Sequence, residues 1–231
     1  MKTSVIILLL FLGQITFGQT SKPGTMPMNG SWIGDTSIDN RLCLKTAPLA
    51  LIDFYGGSSY RLGLEFKIHH NISFYFEGGG YIPSKSFMTN NNVKGFIIKP
   101  EIKYYLNKKH FSTGSFLSVE CIYKEQAYDC ADSIRLATPK YFKNYRVSKY
   151  VTCLNIKFGS TRIFYKKLIF ETFAGLGIRF KNATSGLSAQ EFKDIGDNEQ
   201  RGGVGEYYNT EAGKFTNFNI TAGLKIGYRF K

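Results

Sequence analysis

The chain has 231 residues, of which 16 % are aromatic and 20 % are charged, and it contains 24 glycines but only 6 prolines. This composition excludes a disordered or collagen-like chain and fits one folded domain. The formal net charge is +13, but lysines and arginines are spread through nearly every segment and no nucleic-acid-reading motif occurs. We therefore expect no nucleic-acid partner.

The first eighteen residues have the pattern of a secretory signal peptide. Met1-Lys2 is a short basic start, Val5 to Leu12 is an unbroken apolar run, and Thr16-Phe17-Gly18 places small residues before a cleavage site. Gln14 and Thr16 interrupt the apolar run well before the about 20 residues that a membrane-spanning helix needs. No cysteine follows the run, which argues against a lipid-anchored lipoprotein. We predict a signal peptide over residues 1–18 that is cleaved during export.

Residues 19–41 are rich in Pro, Gly, Ser, Thr and Asn and show no apolar period, which predicts a flexible N-terminal linker. From Leu42 onward the pattern changes. Segments of about ten residues alternate apolar and polar side chains between clusters of Gly, Asn, Lys and Ser, and this is the period-two pattern of β-strands. We predict one barrel domain over residues 42–231, built from eight strands.

The last predicted strand shows the alternation most clearly. From Phe218 to Phe230 every even position is apolar, and every odd position is polar or glycine. The same pattern occurs over residues 60–68, 96–106 and 168–180, and weaker alternation occurs over 42–52, 72–82, 115–124 and 146–158. Pro48 and Pro100 fall inside two of these strands, where each lacks the N–H group of a ladder hydrogen bond.

Alternation alone does not say which face of the strands lies inside the barrel. Predicted short turns at 69–71, 107–110 and 165–167 alternate with long loops at 83–94, 125–145 and 181–216, and this is the arrangement of outer-membrane barrels. The apolar faces begin or end in aromatic residues, which fits interfacial girdles. The polar faces carry many glycines, which leave room for long charged side chains in a narrow lumen.

These features predict an all-β protein, an eight-stranded antiparallel up-and-down transmembrane β-barrel after a cleaved signal peptide. We expect a monomer in the bacterial outer membrane, surrounded by outer-membrane lipid. The closing residues Tyr228, Phe230 and Lys231 approximate the aromatic ending of such barrels, so we expect the barrel-assembly machinery to be a partner through the C-terminal strand. With the two faces inverted, the same pattern describes a soluble secreted ligand-binding barrel.

The predicted inner face carries charges of both signs. On the strand register given above, the charged residues that point to the lumen are Arg61, Glu65, Lys67, Glu77, Lys99, Glu101, Lys103, Glu120, Lys157, Glu171, Arg179, Lys225 and Arg229. An eight-stranded barrel leaves an interior just wide enough for side chains. One interpretation is therefore a structural salt-bridge network that fills the lumen, and the other is a gate or an anion-selective path.

The sequence predicts no catalytic, cofactor-binding or metal site. His69 and His70 are adjacent, so their side chains point apart on a strand or tight turn, and His110 has no Ser or Asp partner in a recognisable motif. Gly78-Gly79-Gly80 precedes no helix and is therefore no phosphate loop. We expect no cofactor and no enzymatic activity.

Four cysteines occur without CxxC or Cys/His metal-ligand spacing, namely Cys43, Cys121, Cys130 and Cys153. An exported protein can form disulfides. Two interpretations stay open: the cysteines are small apolar core residues, or one bridge involves Cys130.

Several stretches resemble a known family. The run LKTAPLALIDF, the run YRLGLEFKIHHNISFYFEGGGY, the segment KGFIIKPEIKYYL and the later LIFETFAGLGIRF are similar to a family of uncharacterised small outer-membrane β-barrels found in Bacteroidetes. The shared elements are Leu44-Lys45-Thr46, the strand Leu62 to Glu65 and the strand Pro100 to Tyr105. The resemblance covers most of residues 42–231 and implies an eight-stranded barrel and an exported location, with no agreed biochemical activity. Because of this resemblance we predict both strands that contain a proline, Pro48 and Pro100.

The predicted function follows from the loops. We expect a structural or surface-interaction protein that presents its long extracellular loops to an unknown surface ligand. The alternative is a narrow ion or small-solute channel.

Overall fold

The computed structural model describes residues 42–52, 58–69, 71–83, 91–106, 113–134, 141–165, 167–194 and 212–230. The predicted signal peptide 1–18, the linker 19–41 and the predicted turn 107–110 lie outside the described residues.

Eight antiparallel strands pair in chain order, and the last returns to the first to close a barrel. They are β1 (Leu42–Thr46), β2 (Ser59–His69), β3 (Ile72–Tyr81), β4 (Asn91–Tyr105), β5 (Gly114–Ile134), β6 (Tyr141–Phe164), β7 (Leu168–Ser185) and β8 (Gly213–Arg229). The prediction of an all-β, eight-stranded antiparallel barrel is confirmed.

The strands are strongly staggered around the barrel. If the cross-strand register is traced from Lys45 of β1 through each neighbouring strand in turn, it reaches Asn217 of β8. Lys45 itself pairs with Gly227 of β8, so the register advances by the ten residues from 217 to 227 in one circuit. A stagger of this kind accompanies strands tilted by about 35–45° and an interior that side chains fill.

The two faces of the strands differ as the period of two requires. Along β6, every odd position from Tyr145 to Thr161 is buried in the barrel interior. The even positions point outward, and Leu154, Ile156 and Phe158 are 55 %, 61 % and 56 % exposed. The apolar face is therefore the outer face, and the charged face lines the lumen.

The first predicted strand is shorter than expected. β1 ends at Thr46, and residues Pro48–Ile52 form a 3-10 helix whose Ala50 N–H donates to the Ala47 carbonyl at 3.0 Å. The prediction that Pro48 lies within a strand is wrong, because a proline without an N–H group fits the first turn of a helix at no cost. Pro100 does lie in β4, where the described pairing with β5 passes from Ile98 directly to Glu101.

The predicted long loops are shorter than expected, because the strands continue into them. β5 and β6 pair as far as Ile134 and Tyr141, so most of the predicted loop 125–145 is strand and the connection is 135–140. β7 continues to Ser185 and β4 begins at Asn91, which limits the other two connections to 186–212 and 82–90. The predicted short connection 165–167 is confirmed, and the one predicted at 69–71 is 70–71 because His69 belongs to β2.

One short helix, α1 (Ala189–Asp194), lies in the connection between β7 and β8. In the part of the chain that the structure describes, no helix is long and apolar enough to cross a membrane.

Candidate functional site in the lumen

All eight strands contribute to one set of buried charges, which we call the lumen network. Ion pairs among the described residues join five glutamates to five lysines, namely Glu65, Glu77, Glu101, Glu120 and Glu171 with Lys45, Lys99, Lys103, Lys157 and Lys225. The two signs are therefore equal in number. Each lysine lies within ion-pair distance of at least one glutamate because inward side chains of different strands meet in the barrel interior.

Glu171 contacts three lysines, more than any other carboxylate in the described ion pairs of the lumen network. Its oxygens accept hydrogen bonds from Lys103 Nζ at 2.7 Å and from Lys45 Nζ, and Lys225 Nζ lies 3.6 Å away. Glu171 and its partners Lys45 and Lys103 have fully buried side chains. Removal of one partner from such a set leaves an uncompensated buried charge, which is strongly destabilising.

Glu65 connects the network to polar groups on β3 and β4. Besides its ion pairs with Lys45 and Lys103, it accepts hydrogen bonds from Ser73 Oγ at 2.7 Å and from Tyr105 Oη at 2.6 Å. These ion pairs and hydrogen bonds offset the cost of removing the Glu65 carboxylate from water.

The remaining pairs extend the network toward β5 and β6. Lys157 Nζ lies 2.8 Å from both Glu101 and Glu120, and Lys225 Nζ donates to Glu101 at 3.1 Å. Asn155 Nδ2 donates to Glu120 at 3.1 Å. The lumen at this level is thus filled by hydrogen-bonded side chains.

Glu77 and Lys99 form a further ion pair of the lumen network, at 3.2 Å. Tyr75 Oη donates to Glu77 at 2.7 Å, and its ring lies 3.8 Å from Lys225 Nζ. Tyr75 therefore joins this pair to the rest of the network through a hydrogen bond and a cation–π contact. A Cβ atom built on Gly63 would lie 2.3 Å from Tyr75 Oη, so the glycine makes the space that this ring occupies.

The structure places every predicted lumen charge at an inward register position, and nine of the thirteen enter the ion pairs described above. Those nine are Glu65, Glu77, Lys99, Glu101, Lys103, Glu120, Lys157, Glu171 and Lys225. Arg61 Nε instead donates to Ser59 Oγ at 2.9 Å. Lys67, Arg179 and Arg229 lie outside these pairs and make other contacts.

Sequence reasoning missed Lys45, Tyr75 and Tyr105. Lys45 was not predicted to face the lumen because β1 has only five residues before the 3-10 helix, which are too few to show a clear alternation. The two tyrosines read as apolar, although their hydroxyl groups donate to Glu77 and Glu65.

Beyond the lumen network, on the side of the long connections, lies a second group of cations. We call Lys124 on β5, Lys149 on β6, and Arg179 and Lys181 on β7 the upper basic cluster. Lys124 and Lys181 both pair with Val151 across the sheet, and Lys149 is the next inward residue after Val151 on β6. Lys149 is 2 % exposed, Lys181 5 % and Arg179 7 %.

The strands then lead into an apolar cluster at the end of the barrel that carries the long connections. Its members are Tyr81, Val93, Tyr128, Cys130, Ile134, Tyr145, Val147 and Leu187. Several of these sit on the inward positions of the extended β5 and β6. In this part of the barrel the apolar residues face inward, opposite to their orientation in the middle of the strands.

Glu191 of α1 attaches the connection between β7 and β8 to the end of β6. Its carboxylate accepts hydrogen bonds from Lys143 Nζ at 2.6 Å and from Tyr141 Oη at 2.9 Å. Ser188 and Glu191 also form a reciprocal capping box at the start of α1. The hydrogen bond from Lys143, with those from Ser188 and Tyr141, lowers the pKa of Glu191 to about 2.

All four cysteines lie in described residues and none of them is in a disulfide, so the alternative of a bridge involving Cys130 is wrong. Cys121 and Cys153 are neighbours across β5 and β6 but point to opposite faces, since Cys153 pairs with Ile122. Among the described residues, no cluster of His, Cys, Asp or Glu could hold a metal ion.

Comparisons with known proteins give two kinds of match. A family model described as "Protein of unknown function (DUF3575)" matches residues 52–201. The solved structure of Acinetobacter baumannii CarO is similar with a TM-score of 0.40 at 10 % identity, over 85 % of this chain and 100 % of that chain. A. baumannii CarO2 is similar with a TM-score of 0.38 at 10 % identity, over 82 % and 97 %. A comparison with curated proteins gives no match.

Proposed function

Because this chain belongs to the DUF3575 family of proteins of unknown function, we propose a function from the barrel itself. The protein is an outer-membrane β-barrel that acts as a structural or surface-interaction protein through its long connections, and its lumen does not conduct ions. The observation that carries this proposal is the lumen network, in which charges from all eight strands bind one another across the interior.

The outer surface supports a membrane location. Large apolar side chains point outward on every strand, among them Leu64, Ile102, Ile156 and Leu176. A water-soluble protein rarely exposes so continuous an apolar surface, whereas lipid requires it. A closed barrel also leaves few unpaired strand edges, as the hydrocarbon region demands.

Aromatic residues mark both borders of this apolar band. At the end with short turns, the outward residues include Tyr104, Phe164, Tyr228 and Phe230. Toward the long connections, they include Tyr60, Phe96, Tyr150, Phe180 and Phe218. Two aromatic girdles around an apolar band are typical of outer-membrane barrels, in which longer connections face the outside of the cell.

The connections then form the surface available to a partner. The longest, residues 186–212, is attached through Glu191 to the β5–β6 hairpin. That hairpin continues past the aromatic Tyr150 to Tyr141, so it stands above the membrane border. The protein has no enzymatic role in this function. Its C-terminal strand β8 is the segment that the barrel-assembly machinery binds.

Membrane fractionation and planar-bilayer recording test the proposal together. We expect the protein in the outer-membrane fraction, and we expect it to migrate faster on a gel before boiling than after. Reconstituted into bilayers, it should give no steady conductance, because side chains fill the lumen. Recovery in a soluble fraction would favour a secreted ligand-binding barrel, and a stable conductance would favour the narrow channel.

A further inference from the structure

The outer face of the barrel carries a single formal charge in the half that leads to the short turns. From the middle of each described strand to its short-turn end, the outward positions hold apolar, aromatic, serine or threonine side chains, except at Arg162 on β6. Arg162 is exposed and pairs across the sheet with Phe170 on β7. An outward cation is costly at the middle of a membrane and tolerated at its border, so the depth of Arg162 decides what it contacts.

Arg162 lies at the border of the apolar band. Between Thr152 and Arg162 the outward residues of β6 are three large apolar side chains and one serine. These ten residues of a tilted strand rise by about 25 Å, which is the height of the apolar band of an outer-membrane barrel. The next outward residue, Phe164, belongs to the aromatic residues at the short-turn end. The Arg162 guanidinium is therefore at the depth of the lipid headgroups.

A second cation, Lys167, lies at the same depth. Its Nζ is 5.4 Å from the ring centroid of the outward Tyr228 on β8. The cross-strand register leads from Arg162 through Phe170 to Ile226 of β8. Because the register advances by ten residues in one circuit, the level position is displaced toward the short turns by about one residue per strand, which reaches Tyr228. Strands two apart are separated by about 10 Å, so the two cations are close neighbours on the outer surface.

Neither cation has an anionic partner in the part of the chain that the structure describes. Within it, the Arg162 side chain makes no ion pair or hydrogen bond, and the Lys167 ammonium contacts the Tyr228 ring. The outward acidic residues Glu125 and Asp129 lie on β5 toward the long connections, at the other border of the apolar band. The donors of both cations therefore face the surroundings of the barrel.

We infer that Arg162 and Lys167 bind the phosphate groups of anionic phospholipids in the leaflet on the short-turn side of the membrane. This inference rests on the proposed function, in which the barrel spans the outer membrane and the short turns face the periplasm. The guanidinium offers a planar pair of donors to two phosphate oxygens, and the ammonium adds a point charge. Phe164 and Phe170, with ring centroids 6.5 Å apart, provide the apolar surface against which the acyl chains of the same lipid pack.

A lipid fits this surface better than a second copy of the chain does. In a symmetric contact through this face, Arg162 and Lys167 of one copy would meet the same two cations of the other. The described strands have no outward acidic residue at this end to offset that repulsion. A phospholipid carries the opposite charge and surrounds the barrel at this depth.

Native mass spectrometry of the full folded chain in a non-ionic detergent tests the inference. The probes are dioleoyl phosphatidylglycerol and dioleoyl phosphatidylcholine, which share acyl chains and a phosphate group and differ in net charge. We expect the chain to bind phosphatidylglycerol at least fivefold more tightly, because each cation near anionic headgroups contributes a preference of about fivefold. R162Q/K167Q should lower this preference to less than about twofold.

K94Q/K214Q is the matched control. It removes two exposed outward cations from the long-connection ends of β4 and β8, so it changes the net charge equally and should keep the preference for phosphatidylglycerol. All four substitutions replace surface side chains, and faster gel migration before boiling confirms that each variant is folded. Equal binding of the two lipids by the unchanged chain would overturn the inference, as would an equal loss of preference in K94Q/K214Q.

The same spectra report on the other occupant of this surface. A dimer that R162Q/K167Q converts to a monomer would assign the surface to a second copy of the chain and would overturn the lipid site. Failure of the inference is distinct from failure of the proposed function. Recovery of the protein in a soluble fraction would refute the membrane location, whereas recovery in the outer membrane without a lipid preference would refute the lipid site alone.

Discussion

Glu171 on β7 and Lys103 on β4 are separated by 68 residues in the chain, yet Lys103 Nζ donates to the Glu171 carboxylate at 2.7 Å inside the barrel. Both side chains are fully buried. The contact spans the lumen between strands that do not pair, so it exists only in the closed barrel. It joins two walls of the barrel, so we expect the lumen network to contribute to the stability of the closed ring.

Replacement of Glu171 tests this role directly. Glu171→Ala leaves Lys45 and Lys103 with less compensation in a buried site. We expect a loss of about 3–5 kcal/mol in the free energy of unfolding, measured by urea titration of the protein in lipid vesicles. Asp129→Asn removes an exposed pair at 3.7 Å and should cost about 0–1 kcal/mol. Equal losses in the two variants would contradict a structural lumen network.

The outward face gives a second test, which depends on depth in the membrane. Leu176 lies in the middle of β7 and is 55 % exposed, so Leu176→Arg places a cation in lipid. We expect a cost of about 2–4 kcal/mol near the bilayer midplane. Asn144→Arg changes an exposed outward residue near the end of the β5–β6 hairpin and should cost about 0–1 kcal/mol. Similar urea midpoints for both variants would show that the apolar band does not face lipid.

Gly63 on β2 faces the lumen and Gly78 on the neighbouring strand β3 faces outward, so the two glycines together test packing in the lumen. In Gly63→Ala the new Cβ would lie 2.3 Å from Tyr75 Oη, whereas at Gly78 no heavy atom lies within 4 Å of that position. We expect Gly63→Ala to cost about 1–3 kcal/mol because the ring must move. Gly78→Ala should be neutral or stabilising by about 0.4–1 kcal/mol. Thermal unfolding monitored by gel migration distinguishes the two, and a neutral Gly63→Ala would mean that Tyr75 is not held in place.

The contact between Glu191 and Lys143 should depend on pH. The folded-state pKa of Glu191 is about 2, below its ordinary value of 4.5, so the contact stabilises the folded connection fully above about pH 4.5 and is lost as the pH falls toward 2. The protection of the amides of residues 186–194 against hydrogen exchange, relative to the intrinsic exchange rate at each pH, should decrease across that window. Glu191→Gln should show fast exchange already at pH 7, and pH-independent protection in the unchanged protein would refute the role of this carboxylate.

The sequence by itself determined the number of strands, and the alternation together with the turn and loop lengths predicted which face of each strand points outward. In the middle of the strands, apolar outward residues alternate with polar inward residues, and the run from Phe218 to Phe230 shows this with every residue. Local chemistry suffices there because the two environments differ so strongly in polarity. The inward parity of Glu101, Glu171 and Lys225 followed from the same alternation.

Only the tertiary structure decided where the strands end. The odd positions of β6 point inward along the whole strand, but between Tyr150 and the start of β6 the apolar residues occupy the inward positions. There Tyr145 and Val147 are buried inside and Arg146 is exposed outside. An extended strand in water buries its apolar face in the barrel, whereas the same strand in lipid exposes it. A search for one constant parity therefore reads the far half of the β5–β6 hairpin as a loop.

The partners of each charge were likewise beyond the sequence. Lys45 contacts Glu171, which is 126 residues away, and Lys225 contacts Glu101, which is 124 residues away. Which inward residues meet depends on the stagger of ten residues with which β8 returns to β1. That stagger is a property of the closed ring, since it sets strand tilt and lumen width together, and no single strand contains it.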